Sequence, residues 1–332
     1  MNNREWNPGR LFKTSGNYWL SCAIHAAVKL DVFTAIGLEK IAGEGIAQKI
    51  NGDTRAVSML CNALVAMGLL DKKDDKYANT SFSQSFLSKG SPQYSGNIIM
   101  HHHFMVESWT KLDQAVRTGN PVRTRASRGE EERLESFIMG MFNLAMNLAP
   151  QLVAQVDLSG RRHLLDLGGG PGTYAIHFCQ SNPQLKATVY DLPTTRPFAQ
   201  KTIDKFDLND RIQFINGDYT EEDIKGVYDV AWLSHILHAE GPEGCQQLIE
   251  KAVSVLEPGG IIFIHEFILN NTMDSPLHPA LFSLNMLLGN SCGQSYSENQ
   301  LMDMLEKAGV KDIKRHPFQS YNDSGIIYGV LP

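Results

Sequence analysis

Several things are scarce or missing in this 332-residue sequence, and each absence removes a class of function. No stretch of about 18 uninterrupted apolar residues occurs, so a membrane-spanning helix is not expected. The opening Met1-Asn2-Asn3-Arg4-Glu5-Trp6 has no apolar run of the signal-peptide kind. Cysteine is sparse and odd in number, at Cys22, Cys61, Cys179, Cys245 and Cys292, with no pair at metal-ligand spacing. Scattered single cysteines read as reduced thiols in a cytoplasmic protein. There is no surplus of positive charge: 30 Lys+Arg stand against 36 Asp+Glu, a net of −6, which is not the signature of a nucleic-acid binder. Internal repeats and low-complexity segments are absent too. With 42% hydrophobic and 20% charged residues the chain is near the globular average, and its length fits two domains.

The front half, to about residue 155, reads as helical. Apolar residues recur at helical spacing through Ala23, Ile24, Ala27, Val28, Leu30, Val32 and Phe33, and again through Leu60, Leu64, Val65, Met67 and Leu70. The polar stretch from Asp71 to Lys76 reads as a turn, with Tyr77 re-entering structure. Helix, turn, helix and charged hairpin together suggest a winged helix. From Met1 to Gly90 there are 11 Lys+Arg and 8 Asp+Glu, and +3 over that length is no basic face, so packing or dimerisation is favoured over DNA reading. Residues 97–119 and 131–155 read as two further helices, with a polar connection through Ser127-Arg128-Gly129 to Glu132 between them.

Beyond residue 160 short apolar runs alternate with helical patterns. Strands are expected at 163–167, 187–190, 212–215, 229–233 and 261–267, with weaker ones near 312–316 and 326–331. This alternation predicts an α/β fold, a parallel sheet with helices on both faces. Ser297 and Gln300 form a capping-box pattern for a helix that Gly309 ends.

The strongest chemical signal is Asp166-Leu167-Gly168-Gly169-Gly170-Pro171-Gly172, after a strand and before a helix. Glycines let the backbone approach a ligand, and helix N–H groups can face it. A dinucleotide or S-adenosylmethionine could use such a loop, but the Gly-x-Gly-x-Gly spacing is not that of dinucleotide binders. Asp191, in Tyr190-Asp191-Leu192-Pro193, puts an acid at the second strand's end, where it can accept from ribose hydroxyls. Asp218 and Tyr219 follow the third strand, where an acid can accept from an adenine amino group and an aromatic can cover the ring. Each acid alone would as readily be a cap or turn residue; in this order they point to a nucleoside.

With these motifs in place, the sequence resembles the class I S-adenosylmethionine-dependent O-methyltransferases of the hydroxyindole and caffeate type. The similarity covers almost the whole chain, and includes Ile236-Leu237-His238 with Cys245 downstream, Leu256-Glu257-Pro258-Gly259-Gly260, and the segments Trp109–Gly119 and Phe137–Met141. It implies a winged-helix dimerisation domain over 1–95, connecting helices that line an acceptor pocket over 96–155, and a seven-stranded Rossmann-like methyltransferase domain over 156–332. It also implies a homodimer through the N-terminal domain and a small-molecule acceptor, with no nucleic-acid or membrane partner. The cofactor S-adenosyl-L-methionine would lie on Asp166, Gly168, Gly169 and Gly170, on Asp191 and Leu192, on Asp218 and Tyr219, and beside Ser234, where the family often has lysine.

The resemblance makes His238 the general base of methyl transfer to a hydroxyl of a small aromatic molecule. Neutral imidazole takes a proton near physiological pH, whereas a phenol of pKa about 10 is a poor nucleophile until it loses one. Glu266, 28 residues on, matches the family's first orienting acid. The common acid directly after the histidine is Ala239 here, and the second orienting acid falls near Ser295, so a dyad rather than a triad is expected. Those departures leave open a member that binds the cofactor without this catalysis. His235 has no apparent third ligand, which argues against a metal, and three consecutive histidines, His101-His102-His103, cannot all face one ion on a helix. Phe137, Met141, Phe142, Asn285 and Met286 are the acceptor-pocket candidates that the resemblance implies. A nicotinamide-dependent oxidoreductase and a DNA-binding regulator are the remaining rivals, disfavoured by loop spacing and by charge.

Overall fold

The structure is a computed structural model that describes residues 5–125 and 130–332. The expected polar connection at 127–129 lies outside the described residues. The chain divides into two compact units, one ending at Val106 and the other beginning at Glu107.

The first unit is helical with a small antiparallel sheet of β1 (Ile41–Ala42), β2 (Leu70–Lys73) and β3 (Lys76–Asn79) in the order β1-β3-β2. Asp74 and Asp75 join β2 to β3 with φ of 51° and 56°, the left-handed pair of a tight two-residue hairpin. Helix Thr54–Ala66 starts where Asp53 accepts a hydrogen bond from the Ala56 N–H at 2.8 Å. Its buried Val57, Cys61 and Leu64 pack with Phe33, Ile36, Ile46 and Tyr77. By contrast, helix Pro8–Gly16 buries nothing within this unit, and Phe12 and Trp19 are exposed. Of the three consecutive histidines, His103 turns back toward Lys29, with Nζ and Nε2 3.2 Å apart.

In the second unit, β4 (His163–Leu167), β5 (Lys186–Asp191), β6 (Ile212–Asn216), β7 (Tyr228–Ser234), β8 (Leu256–Phe267), β9 (Lys311–Arg315) and β10 (Ser324–Val330) form one sheet ordered β6-β5-β4-β7-β8-β10-β9. The first five are mutually parallel, as expected. β10 departs from that expectation: it runs antiparallel to both neighbours. No helix separates β9 from β10, and without a crossover adjacent strands must reverse.

Alternate side chains of each parallel strand enter opposite layers. Leu164, Val230, Trp232 and Phe263 join one core, with helices Glu131–Val153 and Thr173–Ser181. Leu165, Ala231, Leu233, Ile262 and Ile264 join the other, with helices Pro242–Ser254 and Glu298–Lys307. The capping box of the last helix forms as the sequence predicts. Residues 97–119 do not form one helix, since Gly96–Trp109 and Leu112–Thr118 are separate. Helix Glu131–Val153 is, by length and composition, long and apolar enough to cross a membrane, contrary to the expectation from the lack of an uninterrupted apolar run. It carries buried Ser136 and Asn143, and its Leu148, Ala149 and Leu152 belong to the core beside the sheet.

This topology brings the carboxyl ends of β4 to β8 to one edge. Strand order reverses between β4 and β7, and such a reversal opens a crevice there.

Candidate active site

Three loops at that edge build the first half of the site. β4 delivers Asp166 beneath the glycine loop, where it is 1% exposed. One of its oxygens accepts from the Ala175 N–H at 3.2 Å, while Oδ1 is buried without a partner. Burial, helped by the nearby Asp191 charge, pushes the Asp166 carboxyl up to about 7. The loop folds tightly over this acid: Gly168 and Gly170 have φ of 63° and 55°, and a Cβ at Gly169 would meet the Asp166 carboxylate at 2.6 Å. A Cβ at Gly168 would strike Ile236 at 2.5 Å, whereas one at Gly170 would enter open space. The loop thus needs glycine twice, for conformation and for close approach.

Asp191, at the end of β5, does more than the sequence indicated. Its Oδ2 accepts from the Gly170 N–H at 2.7 Å, and its Oδ1 accepts from the Leu192 N–H at 2.7 Å and the Thr195 hydroxyl at 3.1 Å. The carboxylate pins the loop, and these bonds use three of its roughly four acceptor positions. Burial raises its carboxyl above the usual value, while these three donors oppose the shift. Asp218 follows β6, where its Oδ1 accepts from the Thr220 N–H at 3.0 Å. Tyr219 is half-buried, and its carbonyl accepts from Lys251 Nζ at 2.9 Å. Ser234 lies at the end of β7 with Oγ 2.9 Å from His265 Nδ1, so its hydroxyl is engaged inside the protein.

The second half comes from β7 and β8. After β7 the chain turns through His235, whose φ of 56° is rare for a non-glycine residue and costs about 1–3 kcal/mol. A short 3₁₀ turn, Leu237–Ala239, then presents His238. Its Nδ1 lies 2.9 Å from Oε2 of Glu266, and its backbone N–H donates to Oε1 at 3.2 Å. The Phe267 N–H also donates to Oε2, at 3.2 Å. Burial alone would raise the Glu266 carboxyl, but the imidazoles of His238 and His235 outweigh it and hold the group well below the usual carboxylate range. The Phe282 ring meets His238 edge-on at 4.8 Å, and Phe267 packs 4.6 Å from Phe282.

The fold therefore joins His238 and Glu266 across 28 residues, as the sequence predicts, and leaves Ser295 out. The Ser295 hydroxyl donates to the Pro279 carbonyl at 2.9 Å. Spacing gave no third partner for His235 and His238; in the folded chain Glu266 supplies an oxygen, and the three groups' ligand atoms lie within 4.8 Å of one another. Both oxygens of that carboxylate already accept backbone N–H groups, Oε1 from His238 and Oε2 from Phe267.

Asn285 is nearly buried on helix Leu277–Gly289, its Oδ1 accepting from Arg123 Nη2 at 3.2 Å. Met286 is its half-buried neighbour. Phe137 and Met141 are half-buried on helix Glu131–Val153, whereas Phe142 lies under Lys205 of helix Arg196–Lys205, with Nζ 5.9 Å from its ring. Sequence reasoning passed over Phe282 and Arg123. Phe282 lies three and four residues before Asn285 and Met286, a helical spacing that would have flagged it.

A family model for the O-methyltransferase domain matches residues 110–311, and one for the O-methyltransferase dimerisation domain matches residues 12–89. The chain belongs to the O-methyltransferase family. The 3-hydroxy-5-methyl-1-naphthoate 3-O-methyltransferase of Streptomyces sahachiroi is 30% identical over 97% of this chain and 95% of its own length. An O-methyltransferase family protein from Burkholderia thailandensis superposes with a TM-score of 0.87 at 26% identity, covering 98% of both chains. The human N-acetylserotonin methyltransferase in complex with S-adenosylmethionine shares the fold, with a TM-score of 0.86 at 24% identity over 99% of both chains.

As an O-methyltransferase the chain draws its methyl group from S-adenosylmethionine. The residues present fit that cofactor. A buried acid with an unpartnered oxygen beneath a glycine loop suits a ligand that carries an ammonium group, and the open space above Gly170 leaves room for it.

Asp166 also makes a test in the ligand-free protein. A carboxyl raised in the folded state stabilises the fold fully below its unfolded value of about 3.9, and that contribution is lost as pH rises. The loss is complete once the folded value of about 7 is passed. Asp166→Asn should therefore be as stable as the parent below pH of about 4 and more stable above about 7, read by urea unfolding across pH. A constant difference between the two proteins at every pH would show that Asp166 is not titrating there.

Proposed function

We propose that this O-methyltransferase methylates a hydroxyl on a small aromatic molecule, with His238 as general base and Glu266 orienting it. The observation that carries the reading is the 2.9 Å pairing of His238 Nδ1 with the buried Glu266 carboxylate. A carboxylate only accepts, so it keeps the imidazole proton on Nδ1 and leaves the lone pair on Nε2. The acceptor hydroxyl gives its proton to Nε2, and the imidazolium so formed is stabilised by Glu266. When bound, S-adenosylmethionine supplies a methyl group on a positively charged sulfur; the carbon–sulfur bond breaks as the carbon–oxygen bond forms. Phe267 stacks beside the base and Phe282 meets it edge-on, apolar surroundings that favour a flat aromatic acceptor.

In this reading Asp166 and Gly168 to Gly170 hold the methionine part of the cofactor. The remaining acceptor position on Asp191 takes a ribose hydroxyl, with Leu192 beside it. Asp218 takes the adenine amino group, and Tyr219 covers the ring. Ser234 acts indirectly, through His265. Phe137, Met141, Asn285 and Met286 are assigned to the acceptor, whose aromatic character is carried over from the naphthoate methyltransferase. Phe142 fits this assignment least, given its place beneath Lys205.

Residues 1–95 are assigned to dimerisation as a winged helix, 96–155 to the acceptor side and 156–332 to the cofactor. The protein would act in the cytoplasm, as its five free thiols suggest. A homodimer is supported by the match to the dimerisation domain and by the run of exposed large apolar residues near the start of the chain, Trp6 before the first helix and Leu11, Phe12, Tyr18, Trp19 and Leu20 on the first two helices.

His238→Ala should lower kcat about 10²–10⁴-fold on a hydroxyaromatic acceptor while calorimetry shows cofactor affinity unchanged. A parental methylation rate would refute the base assignment. Cofactor binding by the parent with no methylated product from any hydroxyaromatic would favour the non-catalytic reading instead. For the dimer, light scattering on a Phe12→Glu, Trp19→Glu double variant should report a monomer where the parent is twice that mass; an unchanged mass would place the interface elsewhere.

A further inference from the structure

Two imidazoles, not one, face the carboxylate that orients the base. Oε2 of Glu266 lies 2.9 Å from Nδ1 of His238 and 3.6 Å from Nδ1 of His235. The His235 Nδ1 is fully covered and makes no hydrogen bond of normal length. Its ring is clamped between His265 and Phe267, with both ring centres 4.4 Å away, and its backbone is held at a φ of 56°. A side chain fixed this firmly beside a shared oxygen, at a backbone geometry histidine seldom adopts, has a defined electrostatic part to play.

We infer that His235 is a positioning residue: it competes with His238 for the Glu266 carboxylate and thereby keeps Nε2 of His238 free of a proton as the pH falls toward neutrality. The inference rests on the reading of His238 as base. A carboxylate favours a proton on an imidazole beside it, and a second imidazole drawing on the same oxygen weakens that pull. A positive charge on either ring would also oppose one on the other, whose centre is 6.1 Å away.

The other titratable groups packed around the pair are buried or paired. From β8, His265 is fully buried, with its ring nitrogens beside the Ser234 and Ser324 hydroxyls, and burial holds it well below the usual imidazole value. From helix Leu277–Gly289, His278 is lowered by burial, with the Asp323 charge opposing the shift. On the side of helix Pro242–Ser254, burial pushes the Cys245 thiol up to about 12, and burial also raises the Tyr296 phenol, so both stay uncharged. Glu240 is tied to Arg125 at 2.9 Å.

The test is the pH profile of kcat/KM for two variants. His235→Asn removes the competitor with a residue that tolerates a left-handed backbone. It should move the acid limb up by about 0.5–1 pH unit, so that activity is lost at a higher pH. His235→Arg places a permanent cation there and should move the limb down. A merely structural residue would change kcat or the melting temperature and leave the limb in place. The asparagine variant carries the test alone if the arginine variant does not fold. A limb that stays put, or that moves down in His235→Asn, overturns the inference. His238→Gln separates the two claims. If His238→Gln keeps the parental acid limb, the base reading fails; if it loses that limb while His235→Asn leaves it unmoved, the base reading stands and only the role of His235 falls.

Discussion

Everything at the reactive end of this molecule depends on one buried carboxylate. Glu266 is charged and 3% exposed, and burying a lone carboxylate costs several kcal/mol unless donors surround it. Here the donors are the backbone N–H groups of His238 and Phe267 and the His238 ring. Each exists because β8 lies between β7 and β10, with Glu266 opposite Gly325 and His265 beside Ser234 in the pairing register. The sheet fixes the acid, the acid fixes the turn after β7, and the turn aims the imidazole. A slip of one residue in β8 would turn Glu266 to the other face and dismantle the pair.

A second carboxylate plays the same kind of part for the glycine loop. Asp191 anchors the glycine loop through Gly170, so the loop's shape is set from the neighbouring strand as well as by its own glycines. Asp166, below it, is the complementary case: an acid pushed toward neutrality by burial, with one oxygen unspent. A ligand bearing positive charge would satisfy that oxygen and restore the carboxylate, which couples cofactor binding to the protonation of the loop's foundation.

Much of this was readable in the residues. The five parallel strands announced themselves as short apolar runs, because strands covered on both faces have few polar residues to blur them. The glycine loop, Asp191, Asp218 and the pairing of His238 with Glu266 followed from motif order and family resemblance. The reversal of β10 was not legible, since direction depends on which strand is beside which, and periodicity is the same either way. Nor was the engagement of Ser234 by His265, 31 residues later, or the approach of His235 to Glu266. Helix Glu131–Val153 shows the opposite failure: its composition suits a membrane, but Leu148, Ala149 and Leu152 are spent on the core. These are consequences of long-range packing, which a local pattern does not encode.

The account stands or falls on the negative charge at position 266. Glu266→Gln keeps the shape and removes the charge. Single-turnover methylation at pH 7.5, roughly one unit above the ordinary imidazole value, measures what that charge does. The account predicts a rate at least about 10²-fold below the parent's in variant protein that is folded at the assay temperature and binds the cofactor. Methyl transfer at the parental rate would contradict it.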